Sequence, residues 1–448
     1  MMNQSSKKAL RSLKGLGQVL ALAAAPLLVQ QAVGVDSLIQ ISSATVSAQE
    51  DKAKKYKTRK TLPIRQTVSK QLGKAQKLLE VEDWKGAGLE LDNLLKKNAG
   101  KLNGNEIANV YNFKAYAQIS LEDFNGAIAS YRKVVAQEGT SLSLQTGAMK
   151  YLGQLYMQVG KYRDAIKQLK DWMKMSEIVG SDTYYLLSQC YYQLGDMKSA
   201  LTWITKAVNN YTSKGKLPKE SWYNMQAALL YEKGDVNGAI KVFETMIKHW
   251  NKPKYWKSVA GLYGMKERSK DQLHAMEAAY VTNSLEKETE LTTLAALFMQ
   301  QEAPWKAAKV LDKGIKAKVI KSTAKNLQAL GNAYSMAQEK TKAIAVLEKA
   351  AAKSDEGKIY YHLGAIYLDD EKYKKAENVL RKALKKGGLR KKGMAQLYLG
   401  QALFYLDKFK EADKYLTLAA KEEKAKKAAY QWKKYMSREI KRRESLQL

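Results

Sequence analysis

HLGAIYLDDEKYKKAENVLRKAL, residues 362–384, is the stretch on which the fold turns. Leu363-Gly364 and Tyr367 mark one apolar stripe, and Tyr373, Ala376, Leu380 and Ala383 mark a second at spacings of three and four. That spacing puts each set on one face of a helix. Between them lies a polar turn containing Asp369 and Asp370. The stretch predicts two short helices folded back on each other. Gly364 and Ala376 are small, so the two backbones can approach closely.

The same skeleton recurs along the chain. A small residue stands at Ala75, Ala115, Gly153, Ser188, Ala227, Ala260, Ala295, Gly331, Gly364 and Gly400, at intervals of 33 to 40 residues. Twelve residues after each stand Ala87, Ala127, Ala165, Ala200, Ala239, Gln272, Ala307, Ala343, Ala376 and Ala412. Nine alanines in ten such places exclude chance. Four residues further on, Tyr131, Leu169, Phe243, Leu347 and Leu416 are large and predict filling of the gap to the next unit. Gly160, Gly195 and Gly234 end first helices, where a glycine C-cap is expected. A lone hairpin cannot bury its apolar stripe, so such units stack.

In this pattern the chain resembles the tetratricopeptide repeat, a helix-turn-helix of about 34 residues with small residues at positions 8 and 20. The resemblance implies an all-α, right-handed α-solenoid of about ten repeats over residues 68–422. The usual repeat-ending proline is almost absent, and residues 220–320 match most weakly, with Gln272 in place of alanine. Local irregularity is expected there.

Composition agrees with helix. Of 448 residues only 5 are proline, and 45% are hydrophobic. The single cysteine, Cys190, excludes an internal disulfide framework and a cysteine zinc site. It falls between tyrosines of a first helix, where a buried, inert thiol is expected. No phosphate loop, HExxH or GxSxG motif occurs, and His249, His274 and His362 are never at metal-ligand spacing. Neither an enzyme, a cofactor nor a small-molecule substrate is expected.

Residues 1–48 read as a signal peptide. Lys7, Lys8, Arg11 and Lys14 form a basic start, and Val19 to Val29 a short apolar run. Val46-Ser47-Ala48 places cleavage before Gln49, with Ala25 the alternative site and an uncleaved anchor the alternative fate. Removal takes the formal charge from +33 to +30. Export to the periplasm of a Gram-negative bacterium argues against nucleic acid as the partner of so basic a chain. Residues 49–67, polar and Lys-rich with Pro63, predict a basic flexible tether. Residues 423–448 predict a basic amphipathic helix with Trp432, Tyr435, Met436 and Ile440 in its apolar stripe. Capping of the solenoid is one use for that stripe and a membrane surface is the other.

In proteins of this kind, positions 2, 5, 9, 12 and 13 of the first helices line the concave face. Carried onto this chain they give Asn109, Asn112 and Tyr116, then Lys150 and Gln154, then Tyr185, Gln189 and Tyr192. Asn224, Tyr231, Lys254, Lys257, Asn332 and Tyr361 continue the series. Amides can pair with the backbone of an extended peptide, and tyrosines add contact area at low entropic cost. Interleaved with lysines, they suit an extended or acidic protein segment. The pairing of lysine at position 5 with asparagine at position 9, which holds a terminal carboxylate in some relatives, is absent: Lys150 precedes Gln154, and Gln328 precedes Asn332.

Residues 374–392 carry nine basic residues against one glutamate. Lys385, Lys386, Arg390, Lys391 and Lys392 predict a docking patch for an anionic membrane surface, acidic protein or peptidoglycan. The whole layout also resembles exported tetratricopeptide proteins encoded beside TonB, ExbB and ExbD components in gammaproteobacteria. That resemblance implies a scaffold assisting TonB-dependent transport, with those components as partners. A structural protein tethered in the envelope through its basic surface is the alternative.

Overall fold

Helices alternate with tight turns throughout a computed structural model that describes residues 60–446. The expected signal peptide and most of the expected tether lie outside the described residues. Two units are present, divided at Trp250 and Asn251, inside the stretch where the repeat pattern is weakest. The first contains α1 (Gln66–Glu80), α2 (Trp84–Lys97), α3 (Gly104–Ser120), α4 (Phe124–Val135) and α5 (Leu142–Gln158). It continues with α6 (Tyr162–Met175), α7 (Ser181–Gln193), α8 (Met197–Thr212), α9 (Glu220–Glu232) and α10 (Val236–Trp250). The second contains α11 (Pro253–Met265), α12 (Ser269–Val281), α13 (Glu288–Gln300), α14 (Pro304–Lys316), α15 (Ala324–Met336) and α16 (Lys340–Ala352). It ends with α17 (Gly357–Asp369), α18 (Tyr373–Lys386), α19 (Lys392–Tyr405), α20 (Phe409–Ala420) and α21 (Glu423–Ser445). All ten position-8 residues lie on odd-numbered helices and all ten position-20 residues on even-numbered ones, so each unit is an all-α solenoid of five hairpins. No strand occurs among the described residues.

Packing explains the pattern. The nine position-20 alanines are fully buried. Position 24 acts within the hairpin as well: a Cβ added to Gly364 would come 2.5 Å from Leu380 Cγ, and one added to Gly331 would meet Leu347 at the same distance. A leucine at position 24 therefore occupies the space that glycine leaves at position 8, which refines the expectation that it only bridges to the next repeat. Repeat six keeps the hairpin despite Gln272. Gly264 stands opposite, and a Cβ there would lie 2.6 Å from Gln272 Nε2.

The turn between the helices of every hairpin adopts one backbone state. Gly160, Gly195 and Gly234 have φ of 74°, 77° and 85°, as their role at a C-cap requires. The other seven repeats place Glu82, Glu122, Glu267, Glu302, Gln338, Glu371 and Asp407 there, at φ of 56° to 62°. In the first unit the next residue often caps the second helix. Asp83, Asp123, Asp196 and Asp235 accept hydrogen bonds of 2.8 to 2.9 Å from the backbone three residues on.

The described end of the expected tether is held rather than free. Leu62 N donates to Gly139 O, Asn105 Nδ2 donates to Leu62 O at 2.7 Å, and Asn103 Nδ2 donates to Pro63 O at 2.8 Å. Arg65 then closes on Glu106, whose side chain is fully buried: the Arg65 backbone N and Nε each lie 2.9 Å from Oε1, and Nη2 lies 2.8 Å from Oε2. Glu106 also accepts from Asn103 N. Arg65 holds the Glu106 carboxyl at about 2.

At the other end α21 buries Ala425, Ala429 and Met436 in the second unit's core, with Trp432 and Ile440 packed beside them. Its apolar stripe is thus spent on capping. Tyr435 sits at the stripe's edge, half exposed, with its ring 5.5 Å from Phe404.

Candidate functional site

The expected partner-binding residues divide between the two units, and the structure treats them unequally. On α3, Asn109 folds back along its own helix and donates to Asn105 O at 2.8 Å. Asn112 is buried. Tyr116 is a core residue: its ring meets Trp84 edge-on at 5.8 Å and packs with Leu79, Ala87 and Ala117. This corrects its assignment to a partner surface, because the first hairpin needs that ring to close its own core. On α5, Lys150 sets its ammonium 5.6 Å from the Trp172 ring, and Gln154 is half-buried.

The richest cluster lies on α7 and α9. Tyr185, Gln189 and Tyr192 follow at i, i+4 and i+7 and are all half-buried, the exposure of side chains that line a surface. Tyr185 stacks on Trp222 of α9 at 5.6 Å, and Tyr211 meets the same indole edge-on at 5.4 Å. Gln189 Nε2 donates to Tyr185 Oη at 3.2 Å. Gln189 Oε1 is buried and has no hydrogen-bond partner among the described residues, nor has Trp222 Nε1. Burial raises the Tyr185 hydroxyl, and burial with nearby Glu232 raises Tyr192. Both stay neutral donors at ordinary pH. Asn224 and Tyr231 lie half-buried on α9. Trp222, fully buried, is a residue that position rules passed over; the Trp222-Tyr223 pair beside the tyrosine-rich α7 was its only signal.

In the second unit, Lys257 is a strut. It donates to Ser284 O at 3.0 Å and pairs with Glu290 Oε1 at 2.9 Å, tying α11 to the following hairpin, so its ammonium is engaged within the fold. Lys254 is exposed, with its ammonium 4.9 Å from the Tyr255 ring. Asn332 is half-buried. Tyr361 stacks on Tyr398 at 5.7 Å and 3°, and burial together with that neighbour pushes its hydroxyl up to about 12.

The basic run is divided as well. Glu377, the one acid in it, is buried and accepts from Lys374, Arg381 and Lys408. Burial works to raise its carboxyl, yet those three cations hold it below the usual range. The far end remains exposed: Lys385, Lys386, Arg390, Lys391 and Lys392 all face solvent, and of these, among the described residues, Lys386 alone reaches a carboxylate, Asp355 at 3.7 Å. His362, next to this patch, is held below its ordinary value by burial and by Lys358 and Lys391.

Cys190 is fully buried beside Leu169 and Leu187, and burial pushes its thiol up to about 12, the behaviour of an inert core cysteine. Among the described residues, no three His, Cys, Asp or Glu side chains gather to hold a metal, and no helix is long and apolar enough to cross a membrane.

Tetratricopeptide-repeat family profiles match residues 151–214 and, separately, residues 108–138 and 357–385. The chain carries tetratricopeptide repeats. No curated protein matches it. Among solved structures it is similar to MamA, at 21% identity over 39% of this chain and 90% of that one, with a TM-score of 0.33. It is similar to a tetratricopeptide repeat protein from Parabacteroides merdae at 16% identity, over 64% and 100% of the two chains, with a TM-score of 0.35. YrrB, a repeat protein described as having an unusual peptide-binding site, matches at 17% identity over 42% and 90%, with a TM-score of 0.32. Tetratricopeptide arrays typically bind other proteins, and a protein-interaction scaffold is the coarse function that this fold suggests.

Proposed function

We propose that the face of the first unit centred on Tyr185, Gln189 and Tyr192 holds an extended segment of a protein partner. The observation that supports it is the row itself: Tyr185, Gln189 and Tyr192 stand half-buried at i, i+4 and i+7, with one amide between two phenol hydroxyls. An amide in such a row can donate to and accept from the backbone of an extended segment. Tyr185 is already fixed by its stack on Trp222, so little side-chain entropy remains to be lost on binding. Tyr192 offers an un-ionised hydroxyl one turn further on. The setting we propose is the periplasm, and the partner class a TonB, ExbB or ExbD-type component of outer-membrane energy transduction. A basic N-terminal segment, divergent repeats and a basic last helix are the layout that supports this choice.

The test is affinity capture of the full chain from cross-linked cells, beside a variant carrying Tyr185→Ala, Gln189→Ala and Tyr192→Ala. Capture of an envelope component that the variant loses supports the reading. Identical capture by both proteins refutes it.

A further inference from the structure

The second unit carries a surface that the α7 face does not explain. Along the outward side of α21, Lys424, Lys427, Lys434, Arg438 and Lys441 recur at intervals of three, four and seven. At 1.5 Å per residue they form a line of roughly 25 Å. All five are exposed, and none has a carboxylate within ion-pair distance among the described residues. Three cations on the sides of the helix behave differently. Lys433 pairs with Asp413, Arg442 with Glu439, and Arg443 with both Glu439 and Asp407. The fold therefore neutralises the charges that face it and leaves the outward line unbalanced.

The exposed loop cations join this line. Gly393, at the start of α19, packs against the Glu422 and Ala425 side chains at the start of α21. Arg390, Lys391 and Lys392 are thus brought beside the N-terminal end of the stripe, although some thirty residues separate the two runs. Tyr430 and Tyr435, 59% and 50% exposed, flank the line.

We propose that this face docks the second unit onto an anionic lipid bilayer, by charge and without insertion of the helix. Insertion is closed to it because Ala425, Ala429 and Met436 are already buried. Lysines dominate the line, and a lysine is a point charge without the planar fork that arginine uses for specific recognition. Such a row suits a diffuse sheet of phosphates. Exposed tyrosines beside it suit the depth of lipid headgroups. The apolar hollow of the first unit, lined by Trp84, Leu89 and Leu121, is remote in sequence from this face and takes no part.

The test is cosedimentation of the full chain with phosphatidylcholine vesicles, with and without phosphatidylglycerol. Each cation near an anionic surface contributes roughly fivefold in affinity. A variant with Lys427→Glu, Lys434→Glu, Arg438→Glu and Lys441→Glu is therefore expected to bind anionic vesicles several hundredfold more weakly. Its unfolding should be unchanged, because all four side chains face outward. High salt should release the wild type, and the Tyr185, Gln189 and Tyr192 variant should bind vesicles normally, which keeps this result separate from the fate of the α7 face. Equal binding to neutral vesicles, or undiminished binding by the charge-reversed variant, overturns the proposal. So does a chain that ignores vesicles but is retained, through these same four residues, by RNA, polyglutamate or peptidoglycan sacculi.

Discussion

Arg65→Ala tests whether the segment before α1 is an integral part of the first repeats. Its partner Glu106 is fully buried, and the interaction holds that carboxyl at about 2 against an ordinary value of 4.5. Hydrogen bonds to a charged group contribute about 1.5–3 kcal/mol, and the backbone N–H groups of Arg65 and Asn103 remain as donors to Glu106 when the side chain is lost. The Arg65 side chain is 45% exposed, so solvent screening reduces the expected loss to about 2 kcal/mol. The sign of the pH dependence follows. A carboxyl depressed in the folded state contributes fully above about 4.5, and the contribution fades as pH falls from there through 2. The gap between wild type and Arg65→Ala should therefore be constant near neutrality, narrow below pH 4.5 and close near pH 2. Hydrogen exchange at the Leu62 amide, which donates to Gly139 O, reads release of the segment directly. Denaturant unfolding of the first unit reads any wider effect. A change in Leu62 protection below about 0.5 kcal/mol, or a gap indifferent to acid, would refute the reasoning.

Opposite signs are expected for two glycine-to-alanine changes in the second unit. Gly364→Ala drives a methyl into buried Leu380 and should cost about 1–2 kcal/mol in spite of alanine's better helix propensity. Gly261→Ala, which meets nothing within 4 Å, should gain up to about 1 kcal/mol in the same denaturation assay. At the hairpin turn, Gly160→Ala forces a side chain to φ of 74° and should lower the unfolding midpoint by the equivalent of about 1 kcal/mol. Glu122→Gly, at φ of 60°, should be neutral or slightly stabilising, since the strain is already present in the wild type.

The hairpins were legible because small residues at two fixed positions leave a mark that any side chain there would erase. Gly364 leaves room for Leu380 across one such hairpin, and Gly331 for Leu347 across another, while Ala376 and Ala343 are fully buried. The seven turns without glycine were not legible, because Glu82 or Asp407 at positive φ is fixed by the geometry of the hairpin and not by the residue's own preference. The held segment at Leu62 and Arg65 was invisible for a related reason. Its partners, Asn103, Asn105 and Glu106, are forty residues away and look like ordinary surface polarity in sequence. Position rules picked out Tyr185, Gln189 and Tyr192, which lie half-buried on α7. They also placed Tyr116 and Lys257 on a partner surface, where the structure uses one ring to complete a core and one ammonium to brace two hairpins. A position within a repeat specifies direction along the helix face, and the neighbouring repeat decides what that direction meets.

The central claim is that the α7 face binds extended peptide. Selection of random peptides displayed on phage against the full chain, followed by titration of the recovered sequences, tests it most directly. Recovered peptides should bind in the micromolar range and lose at least tenfold with Gln189→Leu, which leaves no acceptor for a peptide N–H. Peptides that bind the Gln189→Leu protein as tightly as the wild type, or a selection that yields none, would contradict it.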